Sequence, residues 1–236
     1  MIDSCRIAVV IPAKNEERFV GEVVRTLPSF VDLPIVVDDG SDDDTARAAR
    51  AAADVVTVVR HERSRGVGGA IVTGYRRALA AGADVAAVMA GDGQMDPSDL
   101  EAVVAPVVSG RAGYVKGNRL RHPDVWGVMP WHRLLGTAML GALTARATGL
   151  AVSDSQCGYT AIGRDALERI DLDAVWTGYG YPNDLLGALA RAGVSVQEVP
   201  VRPVYGDEDS GLRVRHVGTI LWLLGRARMR AVTSGS

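Results

Sequence analysis

The fold class of this chain is indicated by one stretch near its N-terminus. Residues 7–41 read IAVVIPAKNEERFVGEVVRTLPSFVDLPIVVDDGS. Residues 7–11 are a mostly β-branched run closed by Pro12, residues 16–27 carry apolar side chains at helical spacing, and residues 35–37 are a second β-branched run. This order predicts a strand that ends at Pro12, then a helix, then a second strand parallel to the first.

The alternation continues beyond that stretch. Ser41 precedes three aspartates, which predicts a helix N-cap with carboxylates in the first turn. Repeats of strand and helix predict an α/β fold, a three-layer αβα sandwich with a mostly parallel sheet. Further strands are expected at residues 55–59, 85–89, 114–116 and 195–201, and helices at residues 68–80, from Pro97 onward, 131–148, 164–170 and 181–192.

Composition limits the classes of function. The chain has 236 residues, a net charge of -2 and two cysteines, Cys5 and Cys157. The chain lacks the excess of positive charge that nucleic-acid-binding proteins carry, so no nucleic-acid partner is expected. The cysteines are expected to be free thiols. Without a signal-like N-terminus or a long apolar stretch, the expected location is the cytoplasm.

Polar residues cluster at the predicted ends of three strands. They lie at residues 12–16, 38–41 and 91–94. Ligands bind at the strand ends of open α/β sheets, and carboxylate and amide oxygens there can hold a nucleotide and a hard cation such as Mg²⁺ or Mn²⁺. Each loop alone also fits an ordinary turn, because Asp, Asn, Gly and Ser are common turn residues. The three together favour a nucleotide and metal site.

Six segments carry a resemblance to a known family. They read IPAKNE (11–16), VDDGS (37–41), RGVGGA (65–70), GDGQMDP (91–97), KGNR (116–119) and DSQCGY (154–159). In order and spacing the chain resembles the inverting family-2 glycosyltransferases, in particular the dolichyl-phosphate mannose synthase-like branch. The resemblance implies the nucleotide-diphospho-sugar transferase (glycosyltransferase A type) fold. It also implies a metal-dependent enzyme that moves a hexose from a GDP- or UDP-linked sugar to an acceptor.

The resemblance implies a donor site that also binds Mg²⁺ or Mn²⁺ through Asp92 and Gln94. The family's metal motif usually has an Asp two positions before Asp92, and this chain has Ala90 there. Gly68 lies in a glycine-rich turn that fits either a phosphate contact or close packing of helix on sheet. The implied donor-binding residues are Pro12, Ala13, Asn15, Glu16, Asp39, Gly68, Asp92 and Gln94.

The resemblance also implies an acceptor site, formed by Arg119, Arg133, Arg202 and Ser210. Guanidinium groups suit the phosphate of an acceptor lipid, and polyprenyl phosphate is favoured over a small soluble hydroxyl compound. A phosphate acceptor is already an anion and needs only positioning, whereas a hydroxyl acceptor needs a carboxylate base. The candidate catalytic residues are therefore Asp184 and Asp154 as bases, together with Arg119 and Arg133. Asp184 equally fits a first-turn residue that interacts with the helix dipole.

The predicted domain organisation is a catalytic domain at residues 1–213 followed by an amphipathic basic helix and tail at residues 214–236. Apolar residues around Trp222 are ringed by arginines there. This pattern fits either peripheral contact with the inner face of the cell membrane or packing on the domain or on a second subunit in a homodimer.

Two other classes of function stay open at the level of sequence. A nucleotidyltransferase that makes nucleotide sugars would carry a glycine-rich loop with Lys or Arg after the first strand. This chain has the sequence PAKNE (residues 12–16) at that place, which argues against a nucleotidyltransferase. A non-catalytic nucleotide-sugar-binding protein would be compatible with Ala90.

Overall fold

A seven-stranded sheet forms the centre of the structure, a computed structural model that describes residues 2–204 and 218–226. The strand order is β3-β2-β1-β4-β6-β5-β7. Neighbouring strands are parallel, except that β6 runs antiparallel to β4 and β5, so the predicted mostly parallel sheet is confirmed. The strands are β1 (Ile7–Ala13), β2 (Leu33–Asp38), β3 (Thr57–Arg60), β4 (Val85–Val88), β5 (Tyr114–Asn118), β6 (Thr160–Gly163) and β7 (Val196–Pro200).

Helices connect most of the strands. Short 3₁₀ turns at Pro97–Asp99 and Arg119–Arg121 follow β4 and β5, and residues 218–226 are also helical. The α-helices between β1 and β7 are α1 (Val20–Arg25), α2 (Thr45–Ala52), α3 (Val67–Ala80), α4 (Leu100–Val108), α5 (Val125–Val128), α6 (Trp131–Thr148), α7 (Arg164–Arg169) and α8 (Tyr181–Arg191).

The helices cover both faces of the sheet. Successive side chains of a strand point to opposite faces. Val10 accordingly packs in the core under α3, α7 and α8, whereas Val9 packs in the core under α1, α2 and α4. Both valines are fully buried. The arrangement is the αβα sandwich that the sequence predicts, with the carboxyl ends of β2, β1 and β4 side by side.

The prediction that Pro12 ends the first strand is wrong. Pro12 lies inside β1 and is paired in register with Val37 of β2. The regular pairing of β1 with β4 ends at Val10 and Val88, before Pro12 is reached. Proline has no N–H to donate, but no hydrogen bond of that ladder is lost at this position. The first helix is also shorter than the predicted residues 16–27.

The prediction that Ser41 caps a helix is also wrong. Helix α2 begins at Thr45, and Asp44 occupies the N-cap position. The Ser41 hydroxyl instead accepts a hydrogen bond from the Asn15 N–H at 2.9 Å. Residues 41–44 therefore form a loop that binds the chain segment after β1, and this contact outweighs the local capping preference.

The C-terminal helix packs on the domain. Ile220 and Leu224 are buried with Leu140 of α6. Among residues 2–204 and 218–226, no helix combines the length and the apolar character needed to cross a membrane. The predicted domain boundary at residue 213 and the predicted acceptor residue Ser210 lie outside the described residues.

Two helical glycines should respond oppositely to alanine. A Cβ at Gly74 would lie 2.1 Å from Cγ1 of Val10, whereas a Cβ at Gly136 would meet nothing within 4 Å. We expect Gly74→Ala to lower the free energy of unfolding by about 1–3 kcal/mol through overpacking. Gly136→Ala should raise it by about 0.5–1 kcal/mol through helix propensity. Urea unfolding measures both changes, and equal effects of the two substitutions would contradict the packing of α3 on β1.

Candidate active site

Three loops meet at the carboxyl ends of β2, β1 and β4. The carbonyl of Ala13 accepts a hydrogen bond from the Asp39 N–H at 2.9 Å, and the carbonyl of Pro12 accepts one from the Gly91 N–H at 3.1 Å. The end of β1 is thus tied to the loop after β2 on one side and to the loop after β4 on the other. The sequence-predicted donor residues of these loops are brought to one edge of the sheet.

The loop after β1 is fixed by the loop after β2. Asn15 has a left-handed backbone with φ of 58°, and its side-chain Oδ1 accepts a hydrogen bond from the Asp42 N–H at 2.9 Å. The Glu16 N–H donates to Thr45 Oγ1 at 2.8 Å. Asn15 therefore orders this edge through its own hydrogen bonds. Pro12 and Glu16 are half-buried beside it and Ala13 is buried.

Asp39 anchors the loop that follows β3. Its carboxylate accepts four hydrogen bonds: from His61 Nδ1 at 2.7 Å, Ser64 Oγ at 2.6 Å, Arg65 N at 2.8 Å and Gly66 N at 2.9 Å. These bonds occupy both carboxylate oxygens, so Asp39 orders the loop that follows β3. The sequence prediction gave Asp39 a direct donor contact and did not find the part played by His61, because His61 lies 22 residues away.

The pKa of Asp39 follows from these contacts. Burial acts to raise it, but the hydrogen bonds from Ser64, Arg65, His61 and Gly66 together lower the pKa below its usual value. Asp39 is therefore an anion in the folded protein at neutral pH.

The end of β4 carries the candidate metal residues. Asp92 Oδ1 accepts a hydrogen bond from the Gln94 N–H at 2.9 Å, and both residues are half-buried. Where the family's motif has another carboxylate, the Ala90 N–H instead contacts Met95 Sδ at 3.2 Å. Within the described residues no group of three or more His, Cys, Asp or Glu side chains is placed to hold a metal ion. One carboxylate and one amide fit an ion such as Mg²⁺ that takes its other ligands from phosphate and water.

The glycine-rich turn before α3 serves close packing. Gly66 has φ of 84°, and a Cβ there would lie 2.5 Å from the Thr177 carbonyl oxygen. A Cβ on Gly68 would lie 2.4 Å from the carbonyl oxygen of Trp176. Of the two explanations left open by the sequence, the structure supplies the packing one. Gly68 is buried under the loop before α8.

Arg119 is held by Asp154 at the end of β5. The Arg119 Nε donates to Asp154 Oδ2 at 2.8 Å and Nη2 donates to Oδ1 at 3.0 Å. Asp154 is fully buried and also accepts from the N–H groups of Gln156 and Cys157. Burial raises its pKa, but the charges and hydrogen bonds of Arg119 and the charge of Lys116 lower it below the usual value. Asp154 is therefore placed to orient Arg119.

Arg119 and Arg133 meet at Tyr179. Burial raises the pKa of Tyr179, and the positive charges of Arg119 and Arg133 nearby both act to lower it. Sequence reasoning did not identify Tyr179. The sequence offers no local signal for this role, because Arg119 and Arg133 lie 60 and 46 positions from Tyr179 in the chain.

A buried polar network supports this side of the site. Asn118 donates to Glu198 Oε2 at 2.8 Å and to Ser153 Oγ at 2.6 Å. Lys116 is fully buried and donates to the Cys157 carbonyl, and burial lowers its pKa. These contacts join β5 to β7 and to the segment that contains Asp154.

The remaining predicted residues lie elsewhere. Arg202 is exposed and pairs with Asp96 Oδ2 at 3.4 Å, while its N–H donates to Asp99. Asp184 is buried in the first turn of α8, where it accepts hydrogen bonds from the Trp176 N–H at 2.8 Å and from Arg226 Nη2 at 2.6 Å. Both oxygens of this candidate base are thus engaged.

The sequence profile of glycosyl transferase family 2 matches residues 8–171. The chain belongs to this family. It is 31% identical over 215 residues to the UDP-N-acetylglucosamine–dolichyl-phosphate N-acetylglucosaminyltransferase of Methanococcus voltae, covering 84% of this chain and 86% of the relative. It is 33% identical over 210 residues to the polyprenol monophosphomannose synthase of Mycolicibacterium smegmatis, covering 83% and 76%. It is therefore a glycosyltransferase, with relatives in the dolichyl-phosphate mannose synthase-like branch.

A solved structure confirms the predicted fold. Glucosyl-3-phosphoglycerate synthase of Mycobacterium tuberculosis, in complex with UDP, superposes with a TM-score of 0.68 at 22% identity over 97% of this chain and 80% of that one. Other crystals of that synthase contain Mn²⁺ with UDP. The glycosyltransferase A type fold inferred from the six sequence segments is thus correct.

The Asp39 contacts predict an acid-sensitive stability. Because its pKa is lower in the folded than in the unfolded chain, its contribution is present above about pH 4 and is lost as the pH falls through the folded value. We expect Asp39→Asn to cost about 1–3 kcal/mol of unfolding free energy at pH 7. The difference from the unsubstituted protein should shrink in acid.

Urea unfolding at several pH values measures this effect. Asp42→Asn, at an exposed carboxylate of the same loop, is the matched control and should change little. A pH-independent difference for Asp39→Asn would contradict the assigned contacts.

Proposed function

We propose that this glycosyltransferase moves a hexose from a GDP- or UDP-linked sugar to polyprenyl phosphate. The observation that carries the proposal is that both candidate carboxylate bases are bound by arginines. Asp154 binds Arg119 through both oxygens, and Asp184 binds Arg226 and the Trp176 N–H. A hydroxyl acceptor needs a base that can take its proton. A phosphate acceptor carries a nucleophilic oxygen that is already ionised.

Arg119, Arg133 and Tyr179 supply the chemistry that a phosphate acceptor needs. The Arg119 side chain keeps about a quarter of its surface exposed (24%) while Asp154 fixes its orientation. Two guanidinium groups can hold a phosphate through paired, charge-assisted hydrogen bonds. The names of the Methanococcus and Mycolicibacterium relatives, which refer to dolichyl phosphate and to polyprenol monophosphomannose, point to the same class of acceptor.

In the proposed reaction a phosphate oxygen of the acceptor attacks the anomeric carbon from the face opposite the diphosphate. The new carbon–oxygen bond forms as the bond to the diphosphate breaks, and the nucleoside diphosphate leaves with the electron pair. Configuration at the anomeric carbon is inverted. The protein's part is to align the two anions: the donor at the ends of β1, β2 and β4, and the acceptor at Arg119 and Arg133.

Mg²⁺ or Mn²⁺ is proposed as the cofactor, with Asp92 and Gln94 as its protein ligands. The bound ion would neutralise negative charge on the diphosphate leaving group. The Mn²⁺ in crystals of the structurally similar synthase supports this assignment.

The acceptor can be tested with purified protein, UDP- and GDP-sugars and Mg²⁺ or Mn²⁺. We expect transfer to a polyprenyl phosphate, no transfer to the corresponding free polyprenol, and loss of activity in EDTA. Arg133→Gln should lower kcat/KM for the acceptor by about ten- to hundredfold, because a charged hydrogen bond to phosphate is lost. Arg50→Gln, at an exposed arginine of α2 away from the proposed acceptor site, is the control.

Equal transfer to the free alcohol would refute the phosphate acceptor. Full activity after metal removal would refute the assigned cofactor, and failure to consume any nucleotide sugar would refute the proposed donor.

We further propose peripheral contact with the cytoplasmic face of a membrane, in keeping with a lipid acceptor. Large apolar side chains are exposed on α5, α6 and the helix at 218–226; Trp126 and Trp131 are 80% and 77% exposed. Trp131, Leu135, Met139 and Leu143 recur every four residues, so they lie along one side of α6. We call the exposed set the apolar face: Trp126, Trp131, Leu135, Met139, Leu143 and Trp222.

The charges around the apolar face favour an anionic lipid surface. Residues 125–153 contain no Asp or Glu, and α6 carries His132, Arg133 and Arg146. Helices with exposed tryptophans and cationic neighbours bind at the interface of anionic bilayers. The domain boundary at residue 213 is kept as part of this proposal, and the helix at 218–226 is the described part of the segment that follows it.

Vesicle sedimentation tests the apolar face. We expect binding to phosphatidylglycerol vesicles, and Leu135→Glu should weaken it by about tenfold or more, since a buried leucine contributes about 1.5–3 kcal/mol. Val55→Glu, at a residue 73% exposed outside the apolar face, is the matched control. The membrane assignment would be contradicted if the protein did not bind the vesicles. If the protein were then a homodimer that Leu135→Glu dissociates, the apolar face would be a subunit interface.

A further inference from the structure

One loop lies between the donor side and the acceptor side of the site. Residues 174–180, the bridging loop, precede α8. On the donor side, the Thr177 carbonyl accepts a hydrogen bond from the Gly69 N–H at 3.2 Å. The same carbonyl oxygen lies close enough to Gly66 to exclude any side chain there. Gly66 in turn donates to Asp39. The bridging loop therefore packs directly on the turn that Asp39 orders.

On the acceptor side the bridging loop supplies Tyr179. Its phenol interacts electrostatically with both Arg119 and Arg133. The loop folds back on itself, because Trp176 Nε1 donates to the Tyr179 carbonyl at 3.1 Å. A shift of Trp176 would thus move contacts at both sides of the site.

The bridging loop is held from outside by Asp184 and Arg226. Asp184 Oδ2 accepts from the Trp176 N–H at 2.8 Å, and Oδ1 accepts from Arg226 Nη2 at 2.6 Å. Both side chains are largely buried, with 4% of the Asp184 and 19% of the Arg226 side chain exposed. The same Arg226 nitrogen reaches the Ala174 carbonyl at 3.5 Å. One ion pair therefore fastens the beginning of the loop.

Aromatic contacts reinforce the attachment. Trp222 meets Trp176 edge to face, with ring centroids 5.8 Å apart, and the Arg226 guanidinium lies 5.3 Å from the Trp222 ring centroid. Arg226 and Trp222 belong to the helix at 218–226, which carries part of the apolar face. The helix also packs on Gly180, where a Cβ would lie 3.0 Å from Leu223.

We infer that Asp184 and Arg226 form a positioning pair. Through this pair, the position of the helix at 218–226 controls the conformation of the donor and acceptor sites. The inference rests on the proposed function and deepens it. Asp184 acts through Arg226 and Trp176, and the proton-abstracting role that its place in the chain suggested is not its role. Binding of the helix at 218–226 to the membrane orders the bridging loop, and the bridging loop in turn orders the glycine-rich turn and Tyr179.

A double-mutant cycle tests the pair. The variants are Arg226→Gln, Asp184→Asn and the two combined, with Arg76→Gln as the matched control, because Arg76 forms an exposed ion pair with Asp173 beside the loop. The first readout is the Kd of UDP and of GDP with Mg²⁺, by calorimetry without acceptor. Either single substitution should weaken nucleotide binding by about five- to fiftyfold, a usual range for coupled sites. The double variant should be no weaker than the worse single one.

Steady-state kinetics separate positioning from base catalysis. A positioning pair predicts that Arg226→Gln and Asp184→Asn raise the donor KM to a similar extent, and that Arg226→Lys, which keeps the charge, restores part of the loss. A base at Asp184 predicts instead that Asp184→Asn alone lowers kcat by about a hundredfold or more, while Arg226→Gln does not. Thermal unfolding of each variant identifies any that fail to fold, in which case Arg226→Lys carries the comparison.

Four results would overturn the inference. Unchanged nucleotide affinity in both single variants, or strictly additive effects in the double variant, would refute the coupling alone. A large kcat loss confined to Asp184→Asn would restore Asp184 as the base. If the unsubstituted protein binds neither UDP nor GDP, the proposed function fails and the inference fails with it.

Discussion

Parallel pairing of β2, β1 and β4 is the constraint on which the site depends. Because parallel strands end at the same edge of a sheet, the loops after all three strands are adjacent, and hydrogen bonds from the Asp39 and Gly91 N–H groups to the end of β1 lock them together. With a different strand order, the loops that carry Asp39 and Asp92 would not be adjacent. The apolar core on both faces, which buries Val9 and Val10 completely, holds this edge rigid.

The buried carboxylates on both sides of the site are each stabilised by hydrogen-bond donors. Asp39, Asp154 and Asp184 all lie out of solvent, and each is surrounded by donors from the backbone and from a histidine or arginine. Such anions are costly to bury unless they are paired and hydrogen-bonded. Once paired, they hold a loop or a guanidinium group in one orientation. In the function proposed here, these three acidic side chains act by positioning other groups around the substrate.

The regular elements were predictable because their signals are local. The span of α6, residues 131–148, is given correctly by the sequence, and most strands differ by only a few residues at their ends. The errors have a common cause. Pro12 stays in β1 because the ladder with β4 has already ended, and Ser41 fails to cap α2 because its hydroxyl binds Asn15. In both cases the pairing with a segment distant in the chain, β2 for Pro12 and the loop after β1 for Ser41, decided the structure against the local preference of the residue.

From its sequence alone, this chain is determined as a family-2 glycosyltransferase with an αβα fold, since strand-helix periodicity and six short segments are written in consecutive residues. The tertiary structure decided what the acidic residues do. The arginine partners of Asp154 and Asp184 are 35 and 42 positions away in the chain, so no local sequence pattern could reveal these ion pairs. A carboxylate looks the same in sequence whether it is free to accept a proton or held in an ion pair, and only folding determines which neighbours it meets.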